Sequence, residues 1–235
     1  MILSNDCWMK NYCNKYLSNP NCDCSLDNVF CSKLFKLDKL YTESLLSSNQ
    51  RLHQTLFIDS DGSDRQSFLR LKEIEENIVN WVSQGNNLYI YSNTCGNGKT
   101  SWSIRLLRSY LESIWYKSDL ICKALFINVP RFLIALKNNI SEKDEYASHI
   151  KDNVLKADLV VWDDIAIKTA TTYEMENLLS IIDNRLNNSK SNIYTSNLFG
   201  QDLNEKLGER LYSRIVNLSE VIEFVGQDKR GLIQK

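Results

Sequence analysis

The stretch LYIYSNTCGNGKTSW, residues 88–102, decides the fold class of this chain. It opens with a short apolar run, residues 88–92, which is typical of a buried strand. The segment NTCGNGKT, residues 93–100, then meets the pattern G-x-x-x-x-G-K-[ST] except at its first position, where Asn93 replaces glycine. Asparagine readily adopts a positive φ, so the departure is compatible with a tight loop. Residues 98–116 have the apolar spacing of a helix. The stretch therefore predicts a strand, a loop and a helix in succession.

A loop of this kind is suited to holding phosphate groups. Backbone N–H groups at the helix start point at the phosphates, and glycine permits their close approach. Lys99 would neutralise charge on the β- and γ-phosphates, and the Thr100 hydroxyl would coordinate Mg²⁺. A plain Gly-Asn-Gly turn that only starts a helix is the weaker interpretation, because a strand precedes the loop and Gly-Lys-Thr marks the junction. The residues predicted to bind ATP are Thr94, Gly96, Asn97, Gly98, Lys99, Thr100 and Ser101.

A second apolar run, LVVWDD at residues 159–164, ends in two acids. A strand that leaves the core beside the phosphate loop places a carboxylate where it can hold Mg²⁺, directly or through water, and Asp163 suits that role. Asp164 would orient the attacking water or accept its proton. Paired acids also often cap a following helix, but the phosphate loop about 60 residues upstream favours the metal-binding interpretation.

Further polar residues follow the later strands. Asn197 ends the run YTSN and could hydrogen-bond the γ-phosphate or the attacking water, although its spacing alone favours an ordinary turn. Arg210 and Arg214 are four residues apart and share a helix face, and Arg230 follows the last predicted strand. An arginine that reaches a developing phosphoryl charge accelerates the reaction strongly, but most surface arginines are solvated or ion-paired, and spacing does not decide between these roles.

Strands and helices alternate from residue 88 onwards. Apolar runs at residues 88–92, 124–129, 157–162, 192–196 and 221–225 predict five strands, and helical patterns separate them. Short unbroken apolar strands of this kind predict an α/β fold with a parallel five-stranded sheet flanked by helices. Trp102, Trp115 and Trp162 lie on apolar faces, which favours core packing over base stacking.

Composition indicates an ordinary globular chain. Of its 235 residues 43% are hydrophobic, and the net charge is −1, which argues against a surface devoted throughout to polyanions. No apolar run approaches the ~18–20 residues of a membrane span, and the start of the chain lacks a secretory signal. We therefore expect a cytoplasmic protein without a membrane partner.

Five of the seven cysteines lie in the first 31 residues. In a reducing compartment clustered cysteines are more often metal ligands than disulfides. Four of the five would bind Zn²⁺, although no C-x₂-C pair is present and free buried cysteines remain an alternative. We expect a Cys-rich N-terminal domain with a connecting helix over residues 1–55 and an ATPase domain over residues 56–235. The candidate ligands are Cys7, Cys13, Cys22, Cys24 and Cys31.

Together these motifs resemble the AAA+ superfamily, in particular the DnaC/DnaI-type replicative helicase loaders, especially phage-encoded ones. The resemblance rests on the phosphate loop, on LVVWDDI at 159–165 and TSN at 195–197, and on two C-terminal blocks, LGERLYSRI at 207–215 and FVGQDKR at 224–230. It implies that Lys99 and Thr100 form the Walker A pair and Asp163 the Walker B acid. Asp164 would be the catalytic carboxylate, where many AAA+ proteins have glutamate.

The resemblance also implies roles for residues that act between subunits. Asn197 would be the sensor-1 residue, Arg214 an arginine finger acting on a neighbour's ATP, and Arg230 the sensor-2 arginine. A finger supplied to a neighbour implies self-association with nucleotide at subunit junctions. The N-terminal domain of such loaders grips the helicase and in some of them binds zinc, which agrees with the cysteine cluster.

The function implied is ATP-dependent loading of a DnaB-type replicative helicase onto single-stranded DNA, with ATP hydrolysis releasing the loader. Lys168 and Lys190 are weak candidates for DNA contact. An IstB-like transposition ATPase is an alternative in the same fold. A nucleotide-gated adaptor with little turnover is another, because Asp164 is one methylene shorter than glutamate.

Overall fold

The structure, a computed structural model, describes Ser18 and residues 28–52, 62–119, 121–138, 144–166 and 170–229. Within these ranges every helix is too short or too polar to cross a lipid bilayer. The predicted Cys-rich region lies almost entirely outside the described residues.

One sheet of five parallel strands forms the centre of the described fold. Its strands are β1 (Asn87–Tyr91), β2 (Ala124–Asn128), β3 (Leu159–Asp163), β4 (Ser191–Ser196) and β5 (Glu220–Glu223). They lie in the order β2-β3-β4-β1-β5. Every residue of β3 and β4 is buried, as expected where helices cover both faces of a parallel sheet. The predicted α/β architecture is confirmed.

Ten α-helices of the described residues surround this sheet, and a short 3₁₀ turn (Trp115–Lys117) follows one of them. In chain order they are α1 (Asn28–Glu43), α2 (Ser48–Leu52), α3 (Arg65–Glu76), α4 (Ile78–Ser83), α5 (Lys99–Ile114), α6 (Val129–Asn138), α7 (Glu145–Asn153), α8 (Thr172–Asn187), α9 (Gly200–Leu207) and α10 (Glu209–Val216).

Three helical stretches, residues 28–52, 65–83 and 200–216, are each divided in two, and the local backbone differs from a helix at each break. Gly208 has φ 74° between α9 and α10, a conformation that helices do not contain. Leu45 has φ 62° between α1 and α2. The side chain of Asn77 donates to the carbonyl of Glu73 at 3.2 Å where α3 ends, and such side-chain bonds compete with helix continuation.

Alternate residues of each strand pack into two hydrophobic layers. Leu88 and Ile90 face α1, α3, α4 and α5, whereas Tyr89 and Tyr91 face the layer that contains α6 to α10. Trp102 and Trp162 are buried in these layers and Trp115 is partly buried, which confirms their predicted packing roles.

Helix α1 belongs to the same core as the sheet. Leu40 is fully buried among residues of the first layer. The carbonyl of Ser44, just after α1, accepts a hydrogen bond from the backbone N–H of Phe126 at 2.9 Å, on the outer edge of β2. A helix that was predicted to lie in the N-terminal domain therefore packs against the sheet; the division of the chain at residue 55 remains a prediction.

Candidate nucleotide-binding site

The carboxyl ends of three adjacent strands bring the predicted site residues together. In the sheet order β3-β4-β1, Asp163 ends β3, Asn197 follows β4, and the phosphate loop (residues 93–100) follows β1. The backbone N–H of Ser92 donates to the carbonyl of Ser196 at 3.3 Å, which joins the ends of β1 and β4. This edge of a parallel sheet is where ligands of such folds bind.

Two glycines give the phosphate loop its shape. Gly96 has φ 78° and Gly98, the N-cap of α5, has φ 109°, and both values favour glycine strongly. The buried side chain of Asn97 donates to Ser92 Oγ and, at 3.4 Å, to the carbonyl of Phe224. Asn97 therefore braces the loop from behind, so that its backbone rather than its side chain is suited to a phosphate.

Lys99 lies folded over this loop. Its Nζ donates to the carbonyl of Thr94 at 3.0 Å and to Oδ1 of Asn97 at 3.3 Å, and the side chain is only 6% exposed. Carbonyl and amide oxygens are neutral acceptors, so these two contacts do not themselves neutralise the positive charge of the ammonium group.

Asp163 meets the phosphate loop directly. Its Oδ1 accepts hydrogen bonds from Thr100 Oγ1 and Thr195 Oγ1, each at 2.8 Å. Burial, followed by the neighbouring charge of Asp164, raises the pKa of Asp163 to about 6. A bound cation would oppose this shift, because positive charge favours the ionised carboxylate.

The backbone after Asp163 is unusual. Asp164 has φ 59° and Ala166 has φ 72°, conformations that non-glycine residues adopt at a cost. Three hydrogen bonds to β4 hold this turn: Asp164 N–H to Thr195 Oγ1 at 3.0 Å, Ile165 N–H to the Thr195 carbonyl at 2.9 Å, and Ser196 Oγ to the Ile165 carbonyl at 2.8 Å. Asp164 thus occupies a fixed turn beside Asp163.

The segment after β5, residues 224–229, crosses the outside of the phosphate loop. The backbone N–H of Lys229 donates to the carbonyl of Gly96 at 3.0 Å. Asp228 lies so close that a Cβ on Gly96 would stand 1.9 Å from its Oδ1. The buried carboxylate of Asp64, at the start of α3, accepts from Val225 N–H at 2.8 Å and Gly226 N–H at 3.1 Å. The loop is thereby joined to both α3 and the end of the described chain.

Two residues of this region escaped the sequence analysis. Thr195 belongs to the TSN block at the end of the strand predicted over residues 192–196. Its place near the carboxyl end of that strand could therefore have indicated a position beside Asp163. Asp64 gave no such signal, because it stands outside every quoted motif and its partners lie about 160 residues away in the chain.

Other predicted site residues lie apart from this cluster. Arg214 is exposed on α10 and its Nε pairs with Asp183 Oδ1 on α8. Arg210 is exposed on the same helix. Lys190 pairs with Asp158 at 2.8 Å near the amino ends of β3 and β4, the opposite edge of the sheet. Arg230 and Lys168 lie outside the described residues.

Most of the predicted zinc ligands also lie outside the residues that the structure describes. Cys7, Cys13, Cys22 and Cys24 are not among the described residues, and for Cys31 the structure gives only its place in α1. Among the side chains that are described, no group of three or more His, Cys, Asp or Glu could hold a metal ion. Cys95 is exposed and Cys122 is buried.

The residues at the sheet edge fit a magnesium–triphosphate ligand. Hydroxyl and carboxylate oxygens are the ligands Mg²⁺ prefers, and it usually binds through one or two carboxylates together with phosphate oxygens. Thr100 and Asp163 supply one of each kind in mutual contact. The helix start at Gly98 and the Lys99 ammonium group supply the positive potential that phosphates require.

Comparison with solved structures identifies the fold. The chain is similar to the DnaC helicase loader, with TM-score 0.56 and 23% identity over 75% of this chain and 96% of that one. A putative primosome component from Streptococcus pyogenes serotype M3 gives TM-score 0.60 and 20% identity over 82% and 98%. The replication initiator DnaA bound to AMPPCP and single-stranded DNA gives TM-score 0.53 and 20% identity over 69% and 46%.

No protein-family model matches the chain, and no curated protein matches it. At the identities found, the likeness to solved structures shows the fold alone. That fold is the AAA+ P-loop α/β fold, as the motifs predicted.

Proposed function

We propose that the chain is an ATPase that loads a replicative ring helicase onto single-stranded DNA in the bacterial cytoplasm. The observation that carries the proposal is the 2.8 Å contact between Thr100 Oγ1 and Asp163 Oδ1. It joins a hydroxyl of the phosphate loop to the carboxylate of the central acidic strand, the pair with which P-loop ATPases hold Mg²⁺ beside a triphosphate. The likeness to the DnaC helicase loader favours loading over other P-loop activities.

Each residue of the site has a role in this proposal. Thr94, Gly96, Gly98 and Ser101 surround the phosphates with the loop backbone, and Asn97 braces that backbone. Lys99 turns from its neutral acceptors toward the β- and γ-phosphates. Thr100 and Asp163 hold Mg²⁺, which neutralises charge on the phosphates.

The second acid and the end of β4 would act on water. Asp164 lies in a fixed turn next to Asp163, where its carboxylate would orient the attacking water or accept its proton. Asn197 follows β4, between the acid and the phosphate loop, and would donate to the γ-phosphate.

Arg214 would act on the ATP of a neighbouring protomer. It stands exposed on α10, away from the cluster of its own chain, and its pairing with Asp183 would be exchanged for the neighbour's phosphate. Arg230 would contact the nucleotide of its own chain as the sensor-2 residue. Mixing Arg214→Ala chains with Lys99→Ala chains tests this role: each supplies what the other lacks, so turnover in the mixture should exceed that of either alone.

The N-terminal region would provide the grip on the helicase. We propose that four of Cys7, Cys13, Cys22, Cys24 and Cys31 bind Zn²⁺ there, which would stabilise a module too small to build a core. Metal analysis of the purified full chain tests this directly, with one zinc per chain expected.

Binding to a purified replicative helicase tests the loader. The intact chain with ATP should retain the helicase, and a chain lacking residues 1–27 should not. The cut belongs before α1, because removing residues 1–55 would also remove the buried Leu40 and expose the first hydrophobic layer. Retention of a transposase in place of the helicase would overturn the proposal.

A nucleotide-gated adaptor is the second candidate, and the short side chain of Asp164 in its fixed turn favours it. Turnover of ATP with and without single-stranded DNA separates the two. An ATPase should hydrolyse ATP in the helicase complex, whereas an adaptor should bind it and hydrolyse almost none.

A further inference from the structure

We infer that Thr195 is a positioning residue of the nucleotide site: its single hydroxyl fixes both the Asp163 carboxylate and the backbone that carries Asp164. The inference rests on the proposed function, because it assigns Thr195 a part in holding Mg²⁺ and orienting water. Thr195 itself touches neither, since it is fully buried behind the two acids.

The direction of its hydrogen bonds follows from the available protons. The backbone N–H of Asp164 can only donate, so Thr195 Oγ1 must accept at 3.0 Å. The one hydroxyl proton is then free for Asp163 Oδ1, 2.8 Å away. A side chain at this position must therefore accept from one acid residue and donate to the other, and only a hydroxyl meets both demands within this space.

The contact to Asp163 restricts the carboxylate. Oδ1 is held on the phosphate-loop side by Thr100 Oγ1 and on the β4 side by Thr195 Oγ1, both at 2.8 Å. If Thr100 turns to bind the metal, Thr195 is the contact of this pair that remains. It then keeps Asp163 directed at the site while the first partner moves.

The contact to Asp164 holds a strained backbone. Asp164 has φ 59°, which a non-glycine residue adopts only when its surroundings impose it. Thr195 accepts the Asp164 N–H through its side chain and the Ile165 N–H through its backbone carbonyl at 2.9 Å. Without the hydroxyl, the Asp164 N–H would lose its partner, and the turn that aims the second carboxylate would relax.

Thr195→Val tests the inference, because valine keeps the β-branched shape and removes the hydroxyl. Partners that orient a metal ligand typically contribute 10–100-fold to metal affinity or activity. We expect kcat to fall and the Mg²⁺ concentration for half-maximal turnover to rise, each by about 10-fold or more. Binding of a fluorescent ATP analogue in EDTA should change less than about 3-fold, since the phosphate loop is not altered.

Two further variants separate positioning from packing. Thr195→Ser keeps the hydroxyl and should retain the wild-type Mg²⁺ dependence. Ser191→Ala removes a buried hydroxyl at the other end of β4, where it donates to the carbonyl of Val82 at 3.1 Å. It should lower the melting temperature without moving the Mg²⁺ dependence. If Thr195→Val does not fold, Thr195→Cys replaces it, since a thiol of similar size is a weak donor and acceptor.

The outcomes are distinguishable from failure of the proposed function. If wild-type protein binds no ATP analogue, the proposed function fails first. If wild-type protein binds and hydrolyses ATP but Thr195→Val, or Thr195→Cys in its place, matches Thr195→Ser in kcat and Mg²⁺ dependence, the positioning role alone is overturned. The positioning role is also overturned if Thr195→Val weakens binding of the ATP analogue in EDTA by as large a factor as it lowers kcat, because that pattern indicates general damage to the site.

Discussion

The carboxylate of Asp64 lies 3.1 Å from the ammonium group of Lys229, although 165 positions separate the two residues in the chain. Asp64 is fully buried, and its other oxygen accepts two backbone N–H groups of the 224–229 segment. A buried carboxylate with these three donors is well satisfied, and removal of the carboxylate would leave all three donors without this acceptor. Asp64 therefore holds the 224–229 segment against the phosphate loop.

Asp64→Ala should destabilise the protein by about 3 kcal/mol, because the change removes the shared acceptor of two backbone N–H groups and of the Lys229 ammonium group, whose side chain is only 13% exposed. Urea unfolding in the absence of nucleotide measures the loss. Asp38→Ala is the matched control: Asp38 also pairs with a cation, Arg51, but is 54% exposed. Its loss should cost about 1 kcal/mol or less. Equal losses at the two sites would contradict the importance given to Asp64.

Gly96→Ala should weaken nucleotide binding by about 10-fold. A left-handed conformation costs a non-glycine residue ~1–2 kcal/mol, which corresponds to a factor of this size, and the added methyl group would also displace Asp228. The added Cβ would lie 1.9 Å from Asp228 Oδ1. Titration with a fluorescent ATP analogue measures the effect. Gly62→Ala is the control, since Gly62 has a similar φ of 76° and no atom within 4 Å of the added Cβ. A double variant with Asp228→Ala should recover part of the affinity.

Asp163→Asn should remove a pH dependence of stability from the nucleotide-free protein. The folded pKa of Asp163 is about 6, whereas an aspartate in an unfolded chain has a pKa of about 4, so the folded state holds this proton more tightly. The stabilising contribution is full below about pH 4 and is lost as the pH rises through about 6, a change of ~3 kcal/mol at most. Urea unfolding in EDTA at about pH 4.5 and 7.5 measures it. The free energy of unfolding should change between these pH values in wild type by more than it does in Asp163→Asn. An equal change in the two proteins would contradict the assignment of this pH dependence to Asp163.

Cys95 should react with iodoacetamide much faster than Cys122. Cys95 is exposed in the phosphate loop, whereas burial, followed by the charge of Glu43, raises the pKa of Cys122 to about 12. Only ~10⁻⁴ of the Cys122 thiol is ionised at pH 8, and the thiolate is the reactive form. Peptide mass spectrometry over a time course reports both rates. ATP with Mg²⁺ should slow the reaction at Cys95 and leave Cys122 unchanged.

The strands, and the edge of the sheet at which the candidate site lies, could be predicted because each is marked by a short continuous stretch of sequence. Each β-strand overlaps one of the five runs predicted as strands, and Asp163, Asn197 and the phosphate loop directly follow or end such runs. Since the carboxyl ends of parallel strands share one edge, the motifs alone brought Thr100 and Asp163 together. The likeness to solved structures then agreed with the fold that the family resemblance implies, and placement among helicase loaders, phage-encoded ones in particular, remains a prediction.

What the sequence left open depends on contacts distant in the chain. Strand order does not follow from alternation, and the position of β1 between β4 and β5 becomes clear only in the sheet. Helical periodicity also continues across Asn77, so it does not register the break between α3 and α4. Asp64 acquires its partners only when the last strand has folded beside the first. The role proposed for Arg214 involves a neighbouring protomer, so one chain does not test it.

The backbone hydrogen bond between Phe126 and Ser44 connects the front of the chain to one edge of the sheet. Residues 1–27 continue into α1, and the turn after α1 is fastened to the free side of β2. Tension applied through that region would enter the sheet at its margin, adjacent to β3 and three strands away from β1. Asp163 lies on the strand next to that margin, where its register partner on β2 is Asn128. Because Tyr41 of α1 also donates to Glu112 of α5 at 2.6 Å, a pull at the front of the chain would reach both the acidic strand and the helix that begins at Lys99.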